Sequence, residues 1–267
     1  MAPARWSPWT YLEFEGERSR PFFDLMDRVQ ATAPATVVDL GCGPGQLTAA
    51  LAQRWPDARI QGIDSSPDMV DAANQHAAAS VRFEVADLLD WSSSQPVDVM
   101  VTNATLQWVS GHRDVLPRLV DQLSADGWLA LQVPGNFDEP SHVLLRELSS
   151  DPRFADETRG VEWPSAYDAQ TYLEDLTRLG CLVEAWETTY LHVLVGEDPV
   201  FRWISGTGAL PVLQALEGEH RDAFVREYKA LLRPAYPAGE FGTVLPFRRV
   251  FAVAHEGADD DSGRTAR

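Results

Sequence analysis

Short apolar runs alternate with helical periodicity along most of the chain. Thr36–Leu40, Arg59–Asp64, Val81–Val85, Val97–Val101 and Trp128–Val133 are five- or six-residue runs rich in Val, Ile and Leu, the pattern of buried strands. Between them Gln46–Ala52, Ser66–Ala78 and Arg113–Leu123 space their apolar residues as helices do. Strands alternating with helices predict a doubly wound α/β fold, a mostly parallel sheet covered on both faces. After Val133 the pattern loosens. Residues 138–180 read as polar helix broken by Pro140, Pro152 and Pro164. Residues 182–195 read as a strand or hairpin, 198–233 as helix, and Val250–Ala254 as a last strand, seven in all. The chain therefore divides into an N-terminal lid segment (1–32), a ligand-binding core (33–135), the rest of the sheet with helical lid insertions (136–255) and a polar tail (256–267). The tail carries Asp259-Asp260-Asp261 and is predicted disordered.

Such sheets bind ligands beyond the carboxyl ends of their strands, so the loops there matter most. The first strand runs into Asp39-Leu40-Gly41-Cys42-Gly43-Pro44-Gly45 and then a helix. Glycines at alternate positions allow a tight strand–helix turn and bring backbone close to a ligand. A nicotinamide-binding turn wants glycine at its first, third and sixth positions; here Gln46 fills the sixth and Pro44 intrudes. Asp64 ends the second strand 19 residues past Gly45, where a carboxylate accepts the vicinal hydroxyls of a ribose. Ser65 or Ser66 can cap the helix that follows, and Met69, one turn in, is placed to pack on a base. Asp87 and the Leu88 amide follow the third strand and can read an adenine edge, with self-capping of the loop as the competing role for Asp87. Asn103 follows the fourth strand, in a loop that includes Trp108.

Composition narrows the field. The 267 residues carry a net charge of −18, which argues against a nucleic-acid partner, since phosphate binding needs a basic surface. A small anionic ligand stays open if Arg or His gather locally. Cys42 and Cys181 are the only cysteines, with no metal-ligand spacing. No apolar run suits a membrane span or a signal peptide. A reducing, cytoplasmic setting without membrane or metal is expected.

The four loops resemble those of class I S-adenosylmethionine-dependent methyltransferases, with a Rossmann-like core. Narrower matches span nearly the whole chain. Trp6, Tyr11-Leu12-x-Phe14, Glu17-Arg18-x-Arg20-Pro21, Asn103-Ala104-x-Leu106-Gln107-Trp108-Val109 and Gln132-Val133-Pro134-x-Asn136 resemble the trans-aconitate 2-methyltransferase family. So do Pro140-Ser141-His142, Trp186-Glu187-Thr188-x-Tyr190, Trp203-Ile204-x-Gly206-Thr207-Gly208 and Leu245-Pro246-Phe247-x-Arg249-x-Phe251. The resemblance implies S-adenosylmethionine as cofactor, held by Asp39, Gly41, Gly43, Gly45, Asp64, Ser65, Met69, Asp87, Leu88 and Asn103, with Asp39 orienting the methionine amino group. It implies methyl transfer to one carboxylate of trans-aconitate or a related small tricarboxylate.

A carboxylate is ionised at neutral pH and needs no general base, so alignment and desolvation carry such a reaction. Arginines belong on the carboxylates that do not react. Arg18, Arg20, Arg249 and His142 are the leading substrate contacts, with Trp6 and Tyr11 beside them. Another small acid as acceptor, or a natural-product hydroxyl with a base near His112 or His142, is the nearest alternative. A nicotinamide oxidoreductase or a non-catalytic cofactor-binding module lies further off.

Overall fold

The computed structural model describes residues 15–256. Trp6 and Tyr11, the start of the N-terminal segment and the polar tail past Glu256 lie outside the described residues. Eight strands form one sheet: β1 (Thr36–Leu40), β2 (Arg59–Asp64), β3 (Val81–Val85), β4 (Val97–Asn103), β5 (Leu123–Pro134), β6 (Cys181–Leu194), β7 (Ala238–Gly239) and β8 (Gly242–Glu256). Their order is β3-β2-β1-β4-β5-β8-β6, with the two-residue β7 hooked onto β8. The first five strands are parallel; β8 runs antiparallel between β5 and β6. The strand order reverses between β1 and β4, and a crevice opens above their carboxyl ends.

The central runs form strands because their residues are buried from both sides, whereas β3 at the sheet edge is mostly exposed. Val37, Val38 and Leu40 of β1 are all buried, as are Val99, Met100 and Val101 of β4. On one face α1 (Glu15–Met26) and α2 (Gln46–Arg54) lay Phe22, Leu25 and Leu51 over Val37, Val99, Val101, Ala130 and Phe251. On the other, α4 (Leu116–Val120) and α7 (Ala169–Arg178) cover Val38, Leu40, Met100 and Leu131 with Leu116, Leu119, Tyr172 and Leu176. A third cluster lies beyond the sheet. There α5 (Pro140–Ser149), α8 (Pro199–Ser205), α9 (Leu210–Ala215) and α10 (Gly218–Ala235) gather on Leu194, Leu245 and Phe247 of the outer halves of β6 and β8.

Several boundaries differ from expectation, the last strand among them, which starts at Gly242 instead of Val250. Of the two readings for residues 182–195 the strand holds and the hairpin does not: β6 pairs with β8 without a break from Cys181↔Glu256 to Leu194↔Thr243. Glu256 accordingly belongs to β8 and not to the tail. β5 starts at Leu123, five residues early, because Leu123 pairs with Val97 across a register shift. The helix expected over 113–123 shrinks to α4, since Pro117 fits its first turn and a 3₁₀ turn over His112–Val115 precedes it. The β6–β8 ribbon thus overshoots the parallel strands and places its far end over their carboxyl edge.

Candidate functional site

The glycine turn begins the crevice. Gly41, Gly43 and Gly45 all have left-handed φ, of 79°, 54° and 87°. The Gly41 and Cys42 amides both donate to the Ile63 carbonyl, at 2.8 and 2.9 Å, which ties the turn to β2. The three glycines do different work. A Cβ at Gly41 would fall 2.1 Å from Thr105 Oγ1, and one at Gly45 would fall 2.7 Å from Ala73 Cβ and 2.9 Å from Phe83 Cζ. At Gly43 a Cβ meets no described atom within 4 Å. Gly41 and Gly45 are needed for packing, whereas Gly43 faces open space in a cleft lined by Phe22, Asp39, Gln46, Leu47 and Asn103.

Two carboxylates stand at the turn, Asp39 lining the cleft and Asp64 bonded to the Gly43 amide. Asp39 is buried and accepts from Thr48 Oγ1 at 2.6 Å. Desolvation pushes its pKa up to about 7; the Thr48 bond opposes the shift and the Asp64 charge adds to it. Asp64 accepts from the Gly43 amide at 3.0 Å and from the Ser66 amide at 2.8 Å. Burial raises its pKa and both backbone bonds resist. Each of its oxygens keeps a second lone pair. Ser65 is exposed beside it, while Ser66 caps α3 (Pro67–Ala73) and Met69 is buried in the first turn of that helix. Past β3, Asp87 Oδ1 accepts from the Leu89 amide at 2.8 Å, the self-capping turn that competed with its ligand role. Arg118 of α4 braces this loop through the Leu88 and Trp91 carbonyls. Burial also drives the Cys42 thiol well up, helped by Asp39 and Asp64, so it is an inert neighbour of the turn.

Further along the carboxyl edge the site becomes an aromatic chamber that holds cations. Arg18 and Arg249 are each only 5% exposed. Arg18 lies over the Trp203 ring at 5.2 Å and donates to the Trp203 carbonyl at 3.1 Å. Arg249 lies over the Phe247 ring at 4.5 Å. Trp203 and Phe247 are 5.5 Å apart, and His192 stacks on Trp203 at 4.6 Å. Burial, reinforced by Arg249, lowers the His192 pKa to about 4. Tyr190 donates to Asp24 at 2.6 Å and pins α1 onto β6. The register explains the assembly: Arg249 pairs with Pro134 of β5 and Thr188 of β6, one row outside Gln132 and Phe251 on the same face.

Not every candidate joins the chamber. Arg20 lies over Tyr190, but its side chain is 71% exposed and faces Asp24. His142 is buried against Gly208, five residues past Trp203, and contacts Phe137. Burial lowers its pKa to about 4. His112 is not at the crevice: its ring nitrogens meet the Tyr172 hydroxyl at 2.7 Å and the Val109 carbonyl at 3.3 Å, under α7. Trp108 is half-buried at the end of a one-turn helix.

Sequence reasoning passed over His192, Trp203, Phe247, Gln132 and Asn136 as site residues, although all but His192 stood in the family-like motifs. The signal was available in one form: a polar residue inside an apolar strand. Asn103 Oδ1, both amide atoms of Gln132, Asn136 Oδ1 and His192 Nε2 are buried and have no hydrogen-bond partner among the described residues. A buried group of this kind left without any partner costs roughly 1–3 kcal/mol. Among the described residues no cluster of His, Cys, Asp and Glu could hold a metal ion, and no helix is long and apolar enough to cross a membrane.

Comparison with known proteins bears on the same regions. A family profile described as a methyltransferase domain matches residues 37–127. The trans-aconitate 2-methyltransferase of Streptomyces avermitilis is 50% identical over 262 residues, covering 95% of this chain and 97% of its own. That of Mycobacterium tuberculosis (strain H37Ra) is 45% identical over 97% of this chain and 99% of its own. Among solved structures, the YcgJ protein of Bacillus subtilis superposes with a TM-score of 0.60 at 12% identity, over 89% of this chain and 98% of its own. Geranyl diphosphate C-methyltransferase of Streptomyces coelicolor, solved with S-adenosyl-L-homocysteine, gives 0.51 at 18% identity, over 92% and 82%. These last two are likenesses of fold.

Proposed function

The chain belongs to the trans-aconitate 2-methyltransferase family, and from that premise we propose that it methylates one carboxylate of trans-aconitate, yielding the monomethyl ester and S-adenosylhomocysteine. The observation that carries the acceptor class is the pair of arginines, Arg18 and Arg249, buried on aromatic faces in one chamber of a chain whose net charge is −18. S-adenosylmethionine, when bound, supplies a methyl group carried on a positively charged sulfur.

The residues of the crevice fit that cofactor. Gly43 leaves room for close approach, and Asp39 and Asp64 give the cleft the negative character that an ammonium and ribose hydroxyls require. In this reading Asp39 takes the amino group and Gly41 and Gly45 shape the turn. Asp64 and Ser65 take the ribose, Met69 the adenine face, and Asp87 with the Leu88 amide the adenine edge. Asn103 stands at the methyl end, where its buried Oδ1 has no partner among the described residues.

Arg18 and Arg249 bind the carboxylates that do not react, and Arg20 and His142 flank the chamber. Cation–π stacking holds each of the two buried guanidinium groups in a water-poor wall. Transfer merges a cation with an anion, so a dry chamber favours it and no general base is required. His112, the other candidate base, is occupied by Tyr172 and Val109. Labelled S-adenosylmethionine with a panel of di- and tricarboxylates tests the reading: mass spectrometry finds a monomethyl ester of trans-aconitate. Failure of every tricarboxylate to accept label overturns it.

A further inference from the structure

We propose that Gln132 orients the reacting carboxylate, and that it suits this task because it is neutral; the proposal rests on the acceptor reading above. Gln132 is fully buried on β5, and neither end of its amide has a hydrogen-bond partner among the described residues. An apolar residue would serve the fold better at that position. Its place in the sheet says what the amide is for. Gln132 pairs with Asn103 on one side and Phe251 on the other, and the three form one row. Asn103 lines the cleft at the glycine turn, and Arg249 stands one row further out on β8. Strand spacing of about 4.8 Å and a two-residue step of about 6.6 Å put the Gln132 and Arg249 Cα atoms about 8 Å apart. Gln132 therefore lies between the residues facing the cofactor cleft and a cation of the chamber, within reach of the same small acid.

The chemistry favours an amide here. A charge-assisted hydrogen bond is roughly twice as strong as a neutral one, and a guanidinium on the attacking carboxylate would hold back the electrons that must form the new bond. The Gln132 N–H holds one oxygen of the reacting carboxylate and leaves the other to attack. That oxygen forms the O–CH₃ bond with a lone pair, the electron pair of the broken C–S bond stays on sulfur, and no proton changes hands. Cations thus sit on the spectator carboxylates and a neutral donor on the reactive one.

Two variants of the full chain test this. In Gln132→Met, kcat with trans-aconitate falls at least ~30-fold while KM moves less than ~5-fold, because Arg18 and Arg249 still hold the acid. Affinity for S-adenosylhomocysteine by calorimetry stays within about twofold. The ligand-free protein melts a few degrees higher than wild type, because a buried amide with no partner among the described residues has been removed. Gln132→Leu likewise lacks both donors and introduces no charge, and it shows the same fall in kcat. If either folded variant keeps kcat within about threefold, or loses only in KM, the proposal is wrong. A Gln132→Met protein that melts below wild type also overturns it, since the amide would then be serving the fold. A wild-type enzyme that makes no ester of trans-aconitate refutes the acceptor reading instead, and this proposal with it.

Discussion

Gly43 and Gly45 lie two residues apart with the same left-handed backbone, yet an added methyl should act differently at the two positions. At Gly45 the new Cβ would sit 2.7 Å from Ala73 Cβ, 2.8 Å from Ala73 Cα and 2.9 Å from Phe83 Cζ. The left-handed φ costs about 1–2 kcal/mol and the overlap about 1–3 kcal/mol more. Gly45→Ala should therefore lose ~2–5 kcal/mol, or roughly 5–15 °C in Tm for a chain of this size. At Gly43 only the backbone term applies, because no described atom lies within 4 Å of the new methyl. Gly43→Ala should lose about 1–2 kcal/mol, or roughly 3–6 °C. In the proposed binding mode its methyl occupies the space through which the cofactor meets the turn, so the Kd for S-adenosylmethionine should rise at least ~30-fold, about 2 kcal/mol. Thermal melts and isothermal calorimetry on both variants give the answer. A stable Gly43→Ala protein that binds S-adenosylmethionine like wild type refutes the reasoning, because that open space would then belong to no ligand.

Burial holds Asp39 at about 7 in the ligand-free protein, and the cofactor's ammonium needs a carboxylate. Affinity for S-adenosylmethionine should weaken about tenfold per unit as pH falls below 7 and level off above it. A folded pKa above the unfolded one means that ionisation costs the empty protein stability as pH rises from 3.8 through about 7. The rise in Tm that ligand confers therefore grows across that window, and a flat profile in both measurements excludes the role. Arg18→Ala and Arg249→Ala should each raise KM for trans-aconitate by ~10–150-fold, the worth of a charged hydrogen bond, with cofactor affinity little changed. Arg20→Ala, at an exposed and ion-paired site, should change KM by less than about threefold; steady-state kinetics on the three variants rank them. Tyr190→Phe removes the bond to Asp24 that pins α1 to β6, at a cost of about 1 kcal/mol seen in denaturant melts.

The parallel half of the sheet was legible because its signals are local. Val37-Val38 against Gly41, or Ile60 and Ile63 against Asp64, encode strand, turn and ligand loop within a dozen residues. The second half was harder to read for a stated reason. β6 and β8 are long antiparallel partners more than forty residues apart, with Glu256 meeting Cys181. Whether 182–195 folds back on itself or pairs with a distant strand is set by that partner, and nothing in 182–195 names it. The same limit applied to His112 and His192. His112 stands between Gly111 and Arg113 and His192 in an apolar strand, and only packing shows that Tyr172 occupies the first while the second stacks on Trp203.

By itself, then, the sequence determined the doubly wound core, the strand–glycine–helix turn and the acidic residues that close the second and third strands. Those follow from periodicity and from backbone geometry that glycine adopts without steric cost. Tertiary structure decided which glycine faces open space and which packs, that Arg18 and Arg249 lie buried on the neighbouring rings of Trp203 and Phe247 while Arg20 stays in solvent, and that the Gln132 amide is buried with no partner among the described residues. These are properties of approach between distant segments. α1, β5, β8 and α8 meet only when the sheet and its helices close on one another, and that meeting sets the space, the burial and the charge of the site.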